Sequence, residues 1–361
     1  MDSKEYKKLV EVSRSSLAAR FSLGRERACM VAGVNGPYYD LETPVRNSAH
    51  WLITAAVLSE TESDDDLRAD AEQLLNYLLD NPHLKNGVAI HRQKPGKDWC
   101  NGVIGQAWVI EALMVAGQVL KREDAVSQAR QLAKAYAFSP TAKAWIKTDP
   151  ADGKRRVDYT LNHQLWYAAA IAMLDDTALN AQIHTFLDAL HSGAMRVRQS
   201  GVISHLLYSC SFKGWLLRLR YRLAELKSRR AVTTKEVGYH LYNLHPLARL
   251  KCHFPEHAIF QSPVMQSALD TAFSDEFLSQ LEGNKYAYPY NAPGFEYPLI
   301  ARVFQYQSAA SSRAWDRQLG ETFDDGVTGF SRNCPDPMTL NARVYEWFLT
   351  IFYDRYHRGE K

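Results

Sequence analysis

Residues 101–117 read NGVIGQAWVIEALMVAG, and this stretch decides the fold. Val103, Ile104, Ala107, Trp108, Val109, Ile110, Ala112, Leu113 and Met114 leave no solvated face, so the segment predicts a helix buried all round. Similar segments recur: RNSAHWLITAAVL from Arg46, DYTLNHQLWYAAAIAML from Asp158 and GYHLYNLHPLARL from Gly238. GFEYPLIARVF from Gly294 and LNARVYEWFLTIFY from Leu340 complete six. Trp51, Trp108 and Trp166 anchor the first three at intervals of 57 and 58 residues, a period that points to a repeated supersecondary unit.

Between these segments lie helices with one apolar stripe. Leu67, Ala71, Leu74, Leu75, Leu78 and Leu79 follow helical spacing, while Asp and Glu fill the opposite face. Segments 121–137, 177–191 and 264–281 read the same way. Each unit is therefore an inner and an outer helix, separated by stops such as Asn81-Pro82, Ser139-Pro140 and Ser192-Gly193. An N-terminal helix over about 4–21 supplies the outer partner that the last inner segment lacks. Hairpins stacked without closure would form an open solenoid. Six units with complementary ends favour a single-domain, all-α (α/α)6 toroid over residues 1–361. Two stretches break the rhythm: 194–235, which opens with an alternating pattern expected of a short β insertion, and the aromatic loop 284–298, NKYAYPYNAPGFEYP.

The composition, 46% hydrophobic and 23% charged, is that of an ordinary globular chain. A net charge of +3 gives no reason to expect nucleic acid as a partner. Five cysteines, at 29, 100, 210, 252 and 334, form no CxxC pair and no evident disulfide framework, which predicts a reducing compartment. The charged amphipathic N-terminus lacks a signal-peptide core, so a cytoplasmic location is expected. The basic stretch Phe212 to Arg230 sets seven Lys and Arg residues against Glu225 and carries a stripe of Trp215, Leu216, Leu219, Leu223 and Leu226. Its ordinary reading is an outer helix with the stripe in the core. Its functional reading is a peripheral contact with an anionic membrane or a lipid-linked glycan.

Each inner segment opens with polar groups that its apolar body does not require. These are Arg46, Asn47 and His50; Asp98, Asn101 and Gln106; Asp158, Asn162, His163 and Gln164; Glu236, Tyr239, His240, Asn243 and His245; Glu296 and Tyr297; and Asn341, Arg343, Tyr345 and Glu346. Some must be caps, and Asn101 and Asn341 stand where an N-cap belongs. A closed ring gathers such clusters at one cavity mouth, which makes a pocket the expectation. Tyr288 and Tyr290, on the proline-stiffened loop, suit stacking against sugar rings.

Asp158-Tyr159-Thr160-Leu161-Asn162, followed by Leu165-Trp166-Tyr167-Ala168-Ala169, resembles an inner-helix motif of unsaturated glucuronyl hydrolases and related six-hairpin glycosidases. Gly105-Gln106-Ala107-Trp108 is similar to another helix start of that family, although the two elements occur here in the opposite order. The resemblance implies a carbohydrate-active toroid, and the family motif's acid/base falls on Asp158. Glycoside hydrolysis would pair Asp158 with Glu236, Glu296 or Glu346. Toroidal lyases resemble this chain in gathering Asn, His, Tyr and Arg at one cleft. Lyase or C5-epimerase chemistry on a uronate would use His163 and Tyr239 as base and acid, with His240 beside them. Asn162, Arg46 and Arg343 would neutralise the carboxylate, and Asn101, Gln106, Tyr288 and Tyr290 would bind the sugar.

The clustered histidines favour this proton-abstraction reading, with an acidic glycan as partner and no cofactor or metal. Two other readings remain. One is a non-catalytic glycan- or membrane-binding scaffold. The other is a zinc enzyme resembling lanthionine cyclases through Trp99-Cys100-Asn101-Gly102 and Cys252-His253, where Phe254 replaces the glycine of that pattern.

Overall fold

The computed structural model describes residues 3–22, 28–209, 212–306 and 309–356. Its helices in chain order are α1 (Ser3–Ser22), α2 (Val45–Thr61), α3 (Asp65–Leu79), α4 (Ile104–Leu120), α5 (Glu123–Lys134), α6 (Leu161–Ala172), α7 (Thr177–Ala189) and α8 (Phe212–Lys227). They continue with α9 (Arg229–Gly238), α10 (His240–His253), α11 (Pro263–Ala272), α12 (Asp275–Leu281), α13 (Pro293–Val303), α14 (Ala309–Thr322), α15 (Pro337–Ala342) and α16 (Tyr345–Tyr356). Helices α2, α4, α6, α10, α13 and α16 each pack on the next, and α16 packs back on α2. The ring of six inner helices is therefore closed, and the fold is the all-α toroid expected from the sequence. The outer layer includes α3 on α2, α5 on α4, α7 on α6 and α14 on α13. Helix α1 closes the circle against α2 and, through Tyr6 and Trp347, against α16.

Physical detail explains the inner helices. Pro246 interrupts α10 and has no N–H for the carbonyl of Tyr242 four residues back. The Trp166 indole N–H of α6 donates to that carbonyl instead, at 3.0 Å, so the proline ties two neighbouring helices together. The segment 264–281, read as one helix, is broken at Phe273–Ser274. There Ser274 caps α12 by accepting from the Phe277 N–H at 3.2 Å.

Short antiparallel hairpins precede several inner helices: β1 (Leu84–Lys85) with β2 (Val88–Ala89), β3 (Phe138–Ser139) with β4 (Ala144–Thr148) and β5 (Arg155–Val157), and β6 (Phe323–Asp324) with β7 (Gly329–Phe330). An amide side chain clamps each of them. Gln106 accepts from Ala89 N and donates to Ala89 O, at 3.0 and 2.9 Å. Gln164 does the same to Trp145 at 2.8 and 2.9 Å, and Asn341 to Phe330 at 2.8 and 3.2 Å. These bonds satisfy backbone groups that would otherwise be buried without partners. In the 194–235 insertion the described part of the alternating stretch forms two isolated bridges, Val197–Ile203 and Leu206–Thr160, in place of a hairpin, and α8 and α9 follow.

Candidate active site

The hairpins and inner-helix starts surround a cleft of about 180 Å³ at one end of the ring. Asn101, Ile104 and Trp108 line one wall, and Thr160, Asn162 and His163 line the next. Asn35, Tyr38, His205, Lys235, Tyr239, Tyr242 and Tyr290 continue around it, with the half-buried Arg92 and Lys97 at the rim. No Asp or Glu lines it among the described residues.

His163 stands in the first turn of α6, and its Nδ1 lies 2.7 Å from Asp158 Oδ2. Asp158 is buried and also accepts from the N–H groups of Val103 and Thr160, each at 3.1 Å. Burial works against its charge, but His163, Lys147 and the Thr160 N–H outweigh that effect and hold its pKa well below the usual carboxylate range. An ionised Asp158 fixes a proton on His163 Nδ1, which leaves Nε2 as the ring's second site for proton transfer. Gly102 makes this approach possible. Its φ is +67°, and an added Cβ would overlap both Asp158 Oδ2 and His163 Nδ1.

His205 is held by its backbone N–H, which donates to Glu236 Oε1 at 3.1 Å, and its ring meets Tyr239 edge-on at 5.5 Å. Burial, aided by Lys235 and His163, pushes its pKa well below the ordinary histidine value, so the ring is neutral. Tyr239 shares a hydrogen bond of 2.9 Å with Tyr38, and burial raises its pKa, so the phenol keeps its proton. Lys235 lies 5.6 Å from the ring centres of both Tyr38 and Tyr239. Burial, with Lys97 nearby, lowers its pKa to about 8. It makes no hydrogen bond or ion pair among the described residues. Lys97 instead binds Asp40 at 2.5 Å, and Arg92 reaches Asp98 at 3.2 Å. The Gly33-Val34-Asn35-Gly36 stretch, which carries no nucleotide fingerprint, is the turn that presents Asn35 and Tyr38. Asp336 Oδ2 accepts from Val34 N and Gly36 N at 2.9 and 3.0 Å, and Asn35 Oδ1 accepts from the Tyr290 hydroxyl at 2.9 Å.

Of the residues singled out from sequence, Asn101, Asn162, His163, Tyr239 and Tyr290 meet at the cleft, with Asp158 directly behind His163. Asn101 is not an N-cap: it has left-handed backbone (φ 54°), and Asp98 takes the Gly102 N–H at 2.9 Å. Asn341 is likewise not a cap but a clamp. Arg46 and Arg343 lie one layer below, stacked on Trp108 and Tyr242 at 4.3 and 4.7 Å from the ring centres. Arg343 Nη2 donates to Glu296 and Glu346 at 2.9 Å, and burial raises the pKa of both carboxyls.

The remaining residues singled out face away from the cleft. Gln106 is consumed by its clamp. His240 accepts from Ile203 N at 3.1 Å and pairs with Ala268 O at 2.9 Å, and burial lowers its pKa to about 4. Tyr288 is buried beside α14, whose Gln318 donates to the Tyr288 carbonyl at 2.8 Å. Cys100 precedes α4, whereas Cys252 is near the far end of α10, roughly 18 Å along that helix at 1.5 Å per residue. Among the described residues no three His, Cys, Asp or Glu side chains are arranged to hold a metal ion.

His205, Lys235, Tyr38 and Asn35 were missed by sequence reasoning. Lys235 had one signal, since it stands ahead of Gly238 in the position where other segments carry their polar cluster.

A closed six-hairpin ring with a polar cleft at the inner-helix starts places the chain among (α/α)6 toroids. Solved toroids share this architecture at low identity. A cellobiose 2-epimerase from Bacillus thermoamylovorans matches with a TM-score of 0.67 and 12% identity, over 98% of this chain and 100% of the other. A D-mannose isomerase matches at 0.63 and 11%, over 95% and 96%. A family 76 glycoside hydrolase from Bacteroides thetaiotaomicron matches at 0.59 and 10%, over 96% and 78%. No family model matches the sequence. Archaeal glycosylation protein Q of Haloferax volcanii is 34% identical over 357 residues, covering 94% of this chain and 96% of the relative, and the chain belongs to that protein's family.

Proposed function

We propose that this protein is a carbohydrate epimerase that moves a proton at the carbon beside a uronate carboxyl, within a glycan under construction. The observation that carries the reading is the pair of histidines on one cleft: His163, poised as a base by Asp158, and His205, held neutral. His163 Nε2 takes the C5 proton, and the electron pair moves into the carboxyl group to form an enediolate. The unpaired Lys235, with Arg92 and Lys97 at the rim, counters the added charge. A proton returned to the opposite face from the Tyr239 phenol, whose ring the neutral His205 meets edge-on, gives the C5 epimer with no net oxidation, and the proton left on His163 returns to Tyr239 through solvent. Two-base proton transfer suits this cleft better than glycoside hydrolysis, which calls for two carboxyl groups facing the bond. The epimerase and isomerase names among the structural neighbours, and the glycosylation name of the relative, accord with the reading.

The test is proton NMR in D2O with glucuronate-containing oligosaccharides. Deuterium at C5 with a second epimer appearing supports the proposal. A new ultraviolet-absorbing C4=C5 double bond would make the enzyme a lyase, in which the same enediolate expels the C4 oxygen. Label at C2 of a reducing end, or new reducing ends without label, would overturn uronate epimerisation.

A further inference from the structure

Helix α8 turns its apolar stripe outward. Trp215 is 50% exposed, Leu216 40%, Leu219 45%, Leu223 51% and Leu226 83%. At about 100° per residue these five fall within an arc of roughly 100°. Arg222 flanks one side of the arc, and Arg220 and Lys227 flank the other. All three are exposed and make no ion pair among the described residues, and Arg229 and Arg230 follow at the start of α9. The helix is not loose cover, because Tyr221 on its inner side donates to the buried Glu236 carboxylate at 2.8 Å. The core reading of the stripe is thereby overturned for these five residues: α8 is anchored by its polar side and presents its apolar side to solvent. Water opposes such an arrangement unless something covers it.

The charge around the helix identifies the cover. Arg155, Arg156 and Arg220 border an apolar groove of about 640 Å³ between α8 and the β4–β5 hairpin, with Ile146, Val157 and Leu216 inside it. Arg156 also borders a second depression that shares Arg92 and Lys97 with the cleft, where Lys147 and Lys154 are paired with Asp98 and Asp152. The depression thus adjoins both the cleft and the groove along α8, where Arg155, Arg156 and Arg220 carry the positive charge. We propose that α8 docks this protein on an anionic lipid surface, its leucines and Trp215 entering the acyl boundary and its arginines meeting lipid phosphates. The cleft then opens toward that surface, and its substrate is a saccharide presented there on a lipid phosphate. This last clause rests on the function proposed above, whereas the docking does not.

Flotation with vesicles of phosphatidylcholine alone, and of phosphatidylcholine with 30% phosphatidylglycerol, tests the docking without reading turnover. Binding to the anionic vesicles is expected, at least ten-fold weaker to the neutral ones and at least ten-fold weaker in 0.5 M salt. The exposed pair L223D/L226D should lose binding ten-fold or more while circular dichroism and deuterium exchange into a soluble oligosaccharide are unchanged. R220E/R222E should lose binding to anionic vesicles by a similar factor. Equal binding of all three proteins, or no binding by the wild type, would overturn the proposal. So would a dimer in light scattering that L223D/L226D dissociates without any vesicle binding, which would mean that a second copy covers the helix. Failed deuterium exchange with intact vesicle binding would refute the proposed chemistry and leave the docking standing.

Discussion

Replacing Asp158 with Asn changes one oxygen to an amino group and should uncouple stability from chemistry in a measurable ratio. The carboxylate serves three donors: His163 Nδ1 at 2.7 Å, Val103 N at 3.1 Å and Thr160 N at 3.1 Å. An amide has a single acceptor oxygen. If that oxygen takes the Oδ2 place, the amino group faces the Thr160 N–H. If it takes the Oδ1 place, the amino group faces Val103 N–H and drives His163 into the tautomer with its proton on Nε2. Either way one buried N–H is stranded, costing about 1–3 kcal/mol, and the bonds that remain lose their charge assistance at roughly 1 kcal/mol more. A total near 3 kcal/mol, at about 2.1 cal/mol/K per residue over 361 residues, lowers the melting temperature by roughly 4 °C. The proton-abstraction rate should fall much further, by about 10³–10⁴, the scale found when a histidine base exchanges its carboxylate partner for an amide. The assay is the initial rate of C5–H loss by NMR in D2O, paired with a thermal melt of the same sample. A variant that melts several degrees lower yet keeps more than a tenth of the exchange rate would refute the dyad. It would reduce Asp158 to a clamp on Val103 and Thr160.

Lys235 carries a pH prediction. Its charge is lost above about pH 8, so kcat/KM on a uronate should fall on that side, and K235R should move the fall to higher pH. With its folded pKa below the unfolded 10.5, the unfolded state binds the proton more tightly between about 8 and 10.5, so stability from this group rises with pH across that window. K235M should accordingly melt higher near pH 7, by about 1–2 kcal/mol after allowance for residual exposure, while losing acidic substrate. G102A should displace the Asp158–His163 contact and force a non-glycine residue to φ +67°, costing about 1–2 kcal/mol and most of the exchange rate. A melt and the exchange assay check both. Arg249 and Glu111 pair in the core away from the cleft, and the Glu111 pKa is raised to about 7 by burial against the pull of Arg249. R249M alone should cost about 3–5 kcal/mol, and E111L/R249M should recover most of that in chemical denaturation, since an apolar pair replaces the ion pair.

The ring was legible because it is written in local periodicity. A helix apolar on every side, such as α4, has no alternative but the interior, and the stripes of α3 and α5 mark partners with one wet face. The dyad was legible in part, because Asp158, Asn162 and His163 share one short motif. The rest of the cleft was not, for two physical reasons. His205, Lys235, Tyr38 and Asn35 reach it from loops and from α9, over separations that no local pattern encodes. Conversely, successive residues at a helix start point about 100° apart, so only some face the axis. Gln106, His240 and Glu296 open inner helices as conspicuously as His163 does. Their side chains turn instead to Ala89, to Ile203 and Ala268, and to Arg343. The basic stretch misled in the opposite direction: periodicity found the stripe of α8 but could not say which side of the helix the ring would claim.

The buried charges explain why such a cleft can hold its groups in costly states. Below its floor, Arg46, Arg343 and Arg249 are paired with Glu42, Glu296, Glu346 and Glu111, four carboxyls whose pKa values burial pushes upward. These pairs contribute little net stability, because desolvation offsets most of their attraction. They fix geometry instead. Arg46 stacks on Trp108 and reaches Asn35 Oδ1 at 3.3 Å, while Arg343 stacks on Tyr242 and reaches Asn291 Oδ1 at 3.4 Å. Two floor aromatics and the Asn35 turn are thus pinned by buried cations that do not line the cleft. Arg46 and Arg343 also add to burial in keeping His50 neutral. Lys235, by contrast, stands in the cleft with no ion pair among the described residues, so its charge is the one that burial leaves uncompensated.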